Sequence, residues 1–216
     1  MTAIPFDQRP AADDPAARPA YQGANPISDV WAARAVEMVA KNIVRVADGT
    51  ADDDVRAQML LGSTMAGIGF GNAGVHLPHA MSYPVARGVR GYIPPDYPTD
   101  HAIIPHGIAV TLNAPAAFRW CAAANPDRHL WAAQLMGVDT REARPEDAGE
   151  ILAGAVAGLM RRTGMPNGLS AVGFTAADVD QLVTGTLAQQ RLLKLAPRPV
   201  DAAALRSMFL DAMTIW

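Results

Sequence analysis

The hydrophobic positions of this chain recur at helical spacing in several separate segments. Between residues 28 and 47 they lie mostly three or four positions apart, which places them on one face of a helix. Ser28 is a suitable N-cap, and Asp29 puts negative charge in the first turn, where the helix dipole favours it. The apolar face of this predicted helix is formed by Trp31, Ala35, Met38, Val39 and Ile43.

Other segments repeat this sequence of polar cap, helical apolar period and breaker. The acidic run 52–54 begins a helix that leads into glycine-rich sequence, and Asn125-Pro126 begins another. Further helices are predicted over about 107–124, 146–162, 175–187 and 201–215. Alternating β-branched runs bounded by turns, the signal of a sheet, do not occur. The sequence therefore predicts an all-α fold, a bundle of roughly seven or eight helices.

The first 27 residues are expected to lie outside this bundle. Pro5, Pro10, Pro15 and Pro19 interrupt any helix that starts there. We therefore predict an extended, proline-rich surface segment over residues 1–27 and an all-α domain over residues 28–216.

Composition limits the functions that such a domain can have. The chain has 216 residues, 50% of them hydrophobic and 18% charged, which suffices for one buried core. Its net charge of -3 provides no basic stripe, so no nucleic-acid partner is expected. The sequence shows neither a membrane-spanning run nor a signal peptide, which favours no membrane partner and a cytoplasmic or equivalent organellar location. Cys121 is the only cysteine and is predicted to be a small buried hydrophobe.

Candidate chemistry is concentrated between Gly67 and Gly107, which contains four of the five histidines. The run 69–74 matches the G-x-G-x-x-G pattern of dinucleotide-binding loops. That pattern has meaning only between a strand and a helix, with an acidic residue about twenty positions later. Here a helical pattern precedes the run, and Asp96, near the expected offset, lies in a proline-rich loop. We therefore reject the nucleotide-loop interpretation and favour, in part, close helix packing at small residues.

The histidines allow more than one interpretation. His76 and His79 are three positions apart, so on a helix they would share a face, either as joint metal ligands or as one ligand beside a hydrogen-bonded neighbour. His106 starts a predicted helix, and two imidazoles on different helices can form half of a metal site. A histidine in apolar surroundings is nevertheless more often a hydrogen-bonded core group. His101 and His129 are expected in a loop and on a helix surface, in contact with solvent.

Longer motifs in this segment resemble the iron-containing alcohol dehydrogenase family. They are Gly67–Gly74, His79–Pro84 and Pro105–Gly107. The chain is also similar to the hydroxyacid-oxoacid transhydrogenase branch of that family, and the resemblance covers nearly the whole sequence. The stretches that resemble this branch are Arg18–Gly23, Asn25–Asp29, Asp96–Tyr97, Asp100–His101, Gly185–Leu187 and Lys194–Pro197.

The resemblance implies a fold and a partner. Enzymes of this family have an N-terminal nucleotide-binding α/β domain followed by an all-α metal-binding domain of the dehydroquinate synthase-like fold, and this chain resembles the second alone. By the same correspondence His79 and His106 are two ligands of Fe²⁺, or of a substituting Zn²⁺. The family's other two ligands, an Asp and a His, and its phosphate loop would precede Met1. Two imidazoles bind a metal weakly, so the isolated chain is expected to be a poor metal binder.

The resemblance also implies roles for other residues. Phe70 matches a position beside the nicotinamide and substrate, and Asn72 is taken to line the same site, while NAD is held mainly by the missing domain. Tyr83 replaces a second histidine found in many members and could relay a proton through its hydroxyl. The implied reaction is hydride transfer between a hydroxyacid or alcohol and an oxoacid or NAD, aided by the Lewis-acid metal. Carboxylate substrates suggest an arginine clamp, for which Arg87 and Arg90 are candidates; solvated loop charges are the simpler interpretation of each.

A second hypothesis is a free-standing helical binding module that kept the fold and lost the chemistry. The presence of His79, His106 and Phe70 in family-like contexts favours the catalytic hypothesis. A homo-oligomer is compatible with both, and in a eukaryote the mitochondrial matrix would be the expected location.

Overall fold

Nine α-helices form the architecture of residues 1–95 and 97–216, which are the residues that this computed structural model describes. Asp96, the acidic residue of the rejected nucleotide-loop interpretation and part of one family-like motif, lies outside the described residues. No strand occurs in the described ranges, where β pairing is limited to an isolated bridge between Pro5 and Ala24. The all-α prediction is therefore confirmed. The helices are α1 (Pro26–Ala47), α2 (Asp53–Ala73), α3 (Leu77–Gly88), α4 (His106–Ala122), α5 (Pro126–Leu135), α6 (Ala148–Arg162), α7 (Val179–Leu187), α8 (Gln190–Leu193) and α9 (Ala202–Asp211).

Side-chain caps begin several helices close to where the sequence predicts them. Capping oxygens of Asp52, Asn125 and Asp201 each accept a hydrogen bond from the backbone N–H three residues later. Helix α1 differs from the prediction because it begins at Pro26, and its cap is Asn25, whose Oδ1 accepts from the Ser28 N–H at 3.0 Å. Ser28 is therefore a buried residue of the first turn, since Asn-Pro supplies both a cap and a preset backbone angle one turn earlier.

Helices α1 and α2 pack against each other over much of their lengths. At Gly69 a Cβ would stand 3.2 Å from both Ala32 N and Ser28 O, so a larger residue would require the two backbones to move slightly apart. Nothing lies within 4 Å of a Cβ at Gly67 or Gly71. Close packing is thus confirmed for part of the glycine-rich run. The run 69–74 lies at the end of α2, which continues through Ala73 and has no strand before it. The run is therefore not a nucleotide-binding loop between a strand and a helix, as predicted.

The main hydrophobic core lies among α3, α4, α7 and α9, with α6 packed on α4. Cys121 is fully buried in this core, and burial raises the pKa of its thiol to about 12, as expected of an inert apolar side chain. Among the described residues, no helix combines the length and the apolar character that crossing a bilayer requires.

Residues 1–25 form an irregular segment with two short 3-10 turns, Phe6–Gln8 and Pro15–Ala17. Backbone hydrogen bonds attach it at two places: Ile4 N donates to Leu195 O at 2.9 Å, and Gly23 N donates to Ala73 O at 3.0 Å. The segment therefore joins the region after α8 to the end of α2.

Candidate metal and substrate site

The starts of two packed helices bring His79 and His106 together. His79 lies in the first turn of α3, and His106 is the first residue of α4. Their ring centroids are 5.4 Å apart, with the ring planes inclined by 60°. Packing of α3 on α4 thus brings together two imidazoles that a long proline-rich loop separates in sequence.

The protonation state of His79 suits a metal ligand. The side chain is partly buried, and this burial, with a smaller contribution from neighbouring His106, lowers its pKa to about 4. The imidazole is therefore neutral at pH 7, with a nitrogen lone pair available for coordination. His106 is exposed, so its ring is accessible from solvent.

The two histidines can supply half of a metal site. Metal–nitrogen bonds of about 2.0–2.1 Å require the ring nitrogens to converge, and the observed ring separation allows one nitrogen from each to reach a common ion. Within the described part of the chain, no group of three or more His, Cys, Asp or Glu side chains could hold a metal ion. A complete set of ligands would therefore need side chains from elsewhere.

Two exposed aromatic residues were also predicted to belong to the site. Tyr83 follows His79 by one helical turn, and its ring centroid is 6.3 Å from that of His106. Phe70, near the end of α2, is 52% exposed. It also lines an apolar cavity of about 440 Å³ between α1, α2, α5 and α6.

The structure gives a position or a partner for each of the three predicted polar lining residues. Asn72 Oδ1 accepts hydrogen bonds from Asn25 Nδ2 at 2.9 Å and from Ser28 Oγ at 3.1 Å, so this amide fixes the start of α1. Arg87 is exposed in the last turn of α3, about 12 Å along the helix axis from His79. Arg90 forms an ion pair with Asp178 at 3.0 Å. A role in substrate binding remains a prediction for all three.

His76 is buried and points to a different partner from His79. Its Nε2 lies 2.9 Å from Thr2 Oγ1, and burial, with smaller contributions from nearby positive groups, lowers its pKa to about 3. His76 precedes the first residue of α3, so the helical spacing that would place it on one face with His79 does not apply. The structure therefore pairs His79 with His106 and leaves His76 as a hydrogen-bonded neighbour.

The expectation for His129 was wrong, whereas that for His101 is confirmed. His129 has no exposed surface; its Nδ1 lies 2.9 Å from Asn125 O, and its ring packs edge-on against Phe118. The polar sequence at the start of α5 suggested a surface position, but this turn of the helix faces the interior. Burial lowers the pKa of His129. His101 lies in an exposed loop, beside Asp100 and Thr99.

A group of cations near α3 and α8 was not predicted from the sequence. Arg9, Arg191 and Lys194 surround one concave surface next to Tyr21. No local pattern signals this group, because Arg9 comes from the N-terminal segment and the other two cations from the opposite end of the chain.

Residues 20–213 match the C-terminal part of the Fe-containing alcohol dehydrogenase family. The whole chain is 45% identical to the mitochondrial hydroxyacid-oxoacid transhydrogenase of Bos taurus and 47% identical to the probable mitochondrial one of Dictyostelium discoideum, covering 46% and 40% of those proteins. Among solved structures it is similar to a 1,3-propanediol oxidoreductase, with a TM-score of 0.77 and 25% identity over 88% of this chain and 46% of that one. An alcohol dehydrogenase from Oenococcus oeni gives a TM-score of 0.76, also at 25% identity, over 87% of this chain and 45% of that one.

The chain spans less than half the length of these relatives and neighbours. The similarity nevertheless extends over nearly all of its own residues and includes the helices that carry His79 and His106. The predicted resemblance is confirmed: this chain belongs to the iron-containing alcohol dehydrogenase family and corresponds to its C-terminal, all-α region.

Proposed function

We propose that this chain forms the metal- and substrate-binding half of an oxidoreductase that transfers hydride between a hydroxyacid or alcohol and an oxoacid or NAD. The observation that carries this proposal is the pair of facing imidazoles, His79 and His106, at the starts of two packed helices. Similarity over the whole chain to proteins named hydroxyacid-oxoacid transhydrogenases supports an organic acid as substrate.

In this proposal His79 and His106 hold Fe²⁺, with Zn²⁺ as a substitute, and a nucleotide-binding half provides the remaining ligands and most of the NAD contacts. When bound, the divalent ion supplies Lewis-acid polarisation of the substrate oxygen. Tyr83 exchanges a proton with that oxygen through its hydroxyl, because its ring lies beside His106 and is open to incoming substrate. Phe70 provides an apolar wall beside the nicotinamide.

Exposed apolar side chains on α1 and α2 support a covering partner. Exposed apolar side chains of this kind commonly mark contacts between domains. We assign these residues to the contact with the nucleotide-binding half. The exposed residues are Ile27, Val30, Leu60, Leu61, Ile68 and Phe70. The proposed location is the cytoplasm or, in a eukaryotic cell, the mitochondrial matrix; only the matrix is supported by the relatives, which are named as mitochondrial.

Reconstitution tests the proposal. The purified chain is mixed with the nucleotide-binding half of a transhydrogenase relative, Fe²⁺, NAD and a hydroxyacid such as 4-hydroxybutyrate, and NADH formation is followed. We expect turnover from the mixture and none from either part alone. His79→Ala and His106→Ala should each reduce this turnover by at least about 100-fold, since each removes a metal ligand. The control His101→Ala, in an exposed loop, should retain it.

Turnover by the chain alone would contradict the proposal that it supplies only half of the active site. A mixture that forms a stable complex, binds NAD and Fe²⁺, and shows no turnover with hydroxyacids or alcohols would instead favour the non-catalytic binding module.

A further inference from the structure

A second concave site lies where the N-terminal segment meets the end of α8. Its volume is about 280 Å³. We call it the basic pocket; its lining residues are Arg9, Pro19, Ala20, Tyr21, Arg191, Lys194 and Leu195. Three of these seven side chains are cations, and none is an acid.

Tyr21 positions two of the three cations. Arg9 Nη1 donates a hydrogen bond to Tyr21 O, and the Arg191 guanidinium lies 5.7 Å from the centroid of the Tyr21 ring. A guanidinium has five N–H donors, so each arginine keeps most of its donors for a ligand while its position is held. Lys194 is exposed and adds an ammonium group.

No acidic side chain of the described ranges lines the basic pocket. The chain carries an excess of acids, with a net charge of -3, and several arginines elsewhere pair with carboxylates, as Arg119 does with Glu150 at 2.6 Å and Arg144 with Asp147 at 2.9 Å. Among the described residues, none of the three pocket cations forms an ion pair. Positive charges around one small cavity repel each other, and a bound anion relieves that repulsion.

The basic pocket lies beside the first part of α3, the helix that carries His79. Gly185 of α7 packs on Pro84 near the end of α3, whereas Leu195 and Tyr21 pack on Gly74, just before α3 begins. Between these two contacts the chain passes along α3 as helix α8, which packs on α3 directly. Arg191 and Lys194 therefore lie towards the end of α3 that holds His79.

We propose that the basic pocket binds a carboxylate group of the organic acid substrate, with Arg191 and Lys194 as its main ligands and Arg9 closing it from the N-terminal segment. This assignment rests on the proposed function for the identity of the ligand. The guanidinium fork can form two parallel hydrogen bonds with the two oxygens of a carboxylate. A hydroxyl or a carbonyl group has one oxygen and cannot form this pair. The pocket thus selects acids over simple alcohols.

Calorimetric titration of the chain with glutarate tests the proposal without metal or NAD. Glutarate is a dicarboxylate with no hydroxyl or carbonyl group to react. We expect Arg191→Gln and Lys194→Gln each to weaken glutarate binding about 10-fold, the loss of one charge-assisted hydrogen bond. Arg162→Gln is the matched control, since it removes an exposed arginine from the end of α6 and should leave the affinity unchanged. Both pocket side chains are exposed, so the variants should unfold at the same urea concentration as the parent chain.

Unchanged glutarate affinity in the two folded variants would overturn the proposal. Inorganic phosphate is titrated in parallel, and phosphate binding that exceeds glutarate binding and depends on the same residues would also overturn it, by assigning the pocket to a phosphate. In the reconstituted enzyme, Arg191→Gln should raise the KM for the hydroxyacid about 10-fold while kcat changes little. Because glutarate binding needs no turnover, failure of reconstitution would count against the proposed function and not against the basic pocket.

Discussion

The segment from Gly67 to Gly107 has a buried side and an open side, and the same residue types occur on both. On the buried side, Gly69 meets the backbone of α1, and His76 is enclosed beside Thr2. On the open side, nothing lies within 4 Å of a Cβ at Gly71, and His79 faces exposed His106. Residue type therefore does not separate structural residues from the proposed metal ligands in this segment, whereas accessibility and a converging partner do.

The two kinds of histidine differ in what their nitrogens can reach. His76 Nδ1 and His129 Nε2 are buried without a hydrogen-bond partner among the described residues, so both rings stay neutral and enclosed. His79 is also neutral, but its ring faces a second imidazole at a surface that solvent reaches. A buried neutral ring contributes packing, and a neutral ring at an open surface can bind a metal.

Truncating a buried histidine should give the largest change in stability. His129→Ala leaves a cavity against Phe118 and removes the bond to Asn125 O, so we expect the free energy of unfolding to fall by about 2–4 kcal/mol. Urea denaturation measures this loss. His101→Ala, in an exposed loop, should change the value by less than about 0.5 kcal/mol. Equal effects of the two substitutions would remove the distinction between buried and open histidines.

Acid should destabilise the chain through the buried side. The pKa of His76 in the folded chain is about 3, below its ordinary value of 6.5, so the unfolded chain takes up this proton first as pH falls. The contribution of neutral His76 to the free energy of unfolding is fully present above about pH 6.5 and is lost as the pH falls towards 3. The loss between pH 7 and 5 is about 2 kcal/mol. Urea denaturation at several pH values should show this slope, and His76→Gln should reduce it without abolishing it, since burial also lowers the pKa of His79 and of His129. A slope that is unchanged in His76→Gln would contradict the assignment.

The glycines offer the smallest and most closely matched comparison. Gly69→Ala places a methyl group against Ala32 and Ser28, and we expect a loss of about 1–3 kcal/mol in the free energy of unfolding. Gly71→Ala, two residues later in the same helix, meets nothing and should add up to about 1 kcal/mol through helix propensity. Thermal unfolding of the two variants measures whether each substitution lowers or raises the stability of the chain. A stabilising Gly69→Ala would show that α1 and α2 do not pack as described.

The sequence predicts most helices because their signals are local. Asp52, Asn125 and Asp201 each cap the helix that begins at the next residue, so cap and helix lie together in sequence. The spacing of apolar residues within a helix is also a local property, which does not depend on the rest of the fold. The family motifs also single out His79 and His106, whose meeting then depends on how α3 packs on α4.

What the sequence could not predict depends on contacts between distant segments. His129 was expected at the surface because the residues around it are polar, and only the packing of α5 encloses its ring. The basic pocket needs Arg9 to meet Arg191 and Lys194 across nearly the whole chain. No spacing rule encodes either result.

A Zn²⁺ titration of the purified chain and its histidine variants tests whether His79 and His106 form half of a metal site. We expect weak binding of one ion, with the affinity lowered at least about 10-fold in His79→Ala and in His106→Ala, since each leaves a single imidazole. The affinity should be unchanged in His101→Ala and in the folded variant His76→Gln. Zn²⁺ binding that survives loss of both His79 and His106 and disappears in His76→Gln would contradict the half-site.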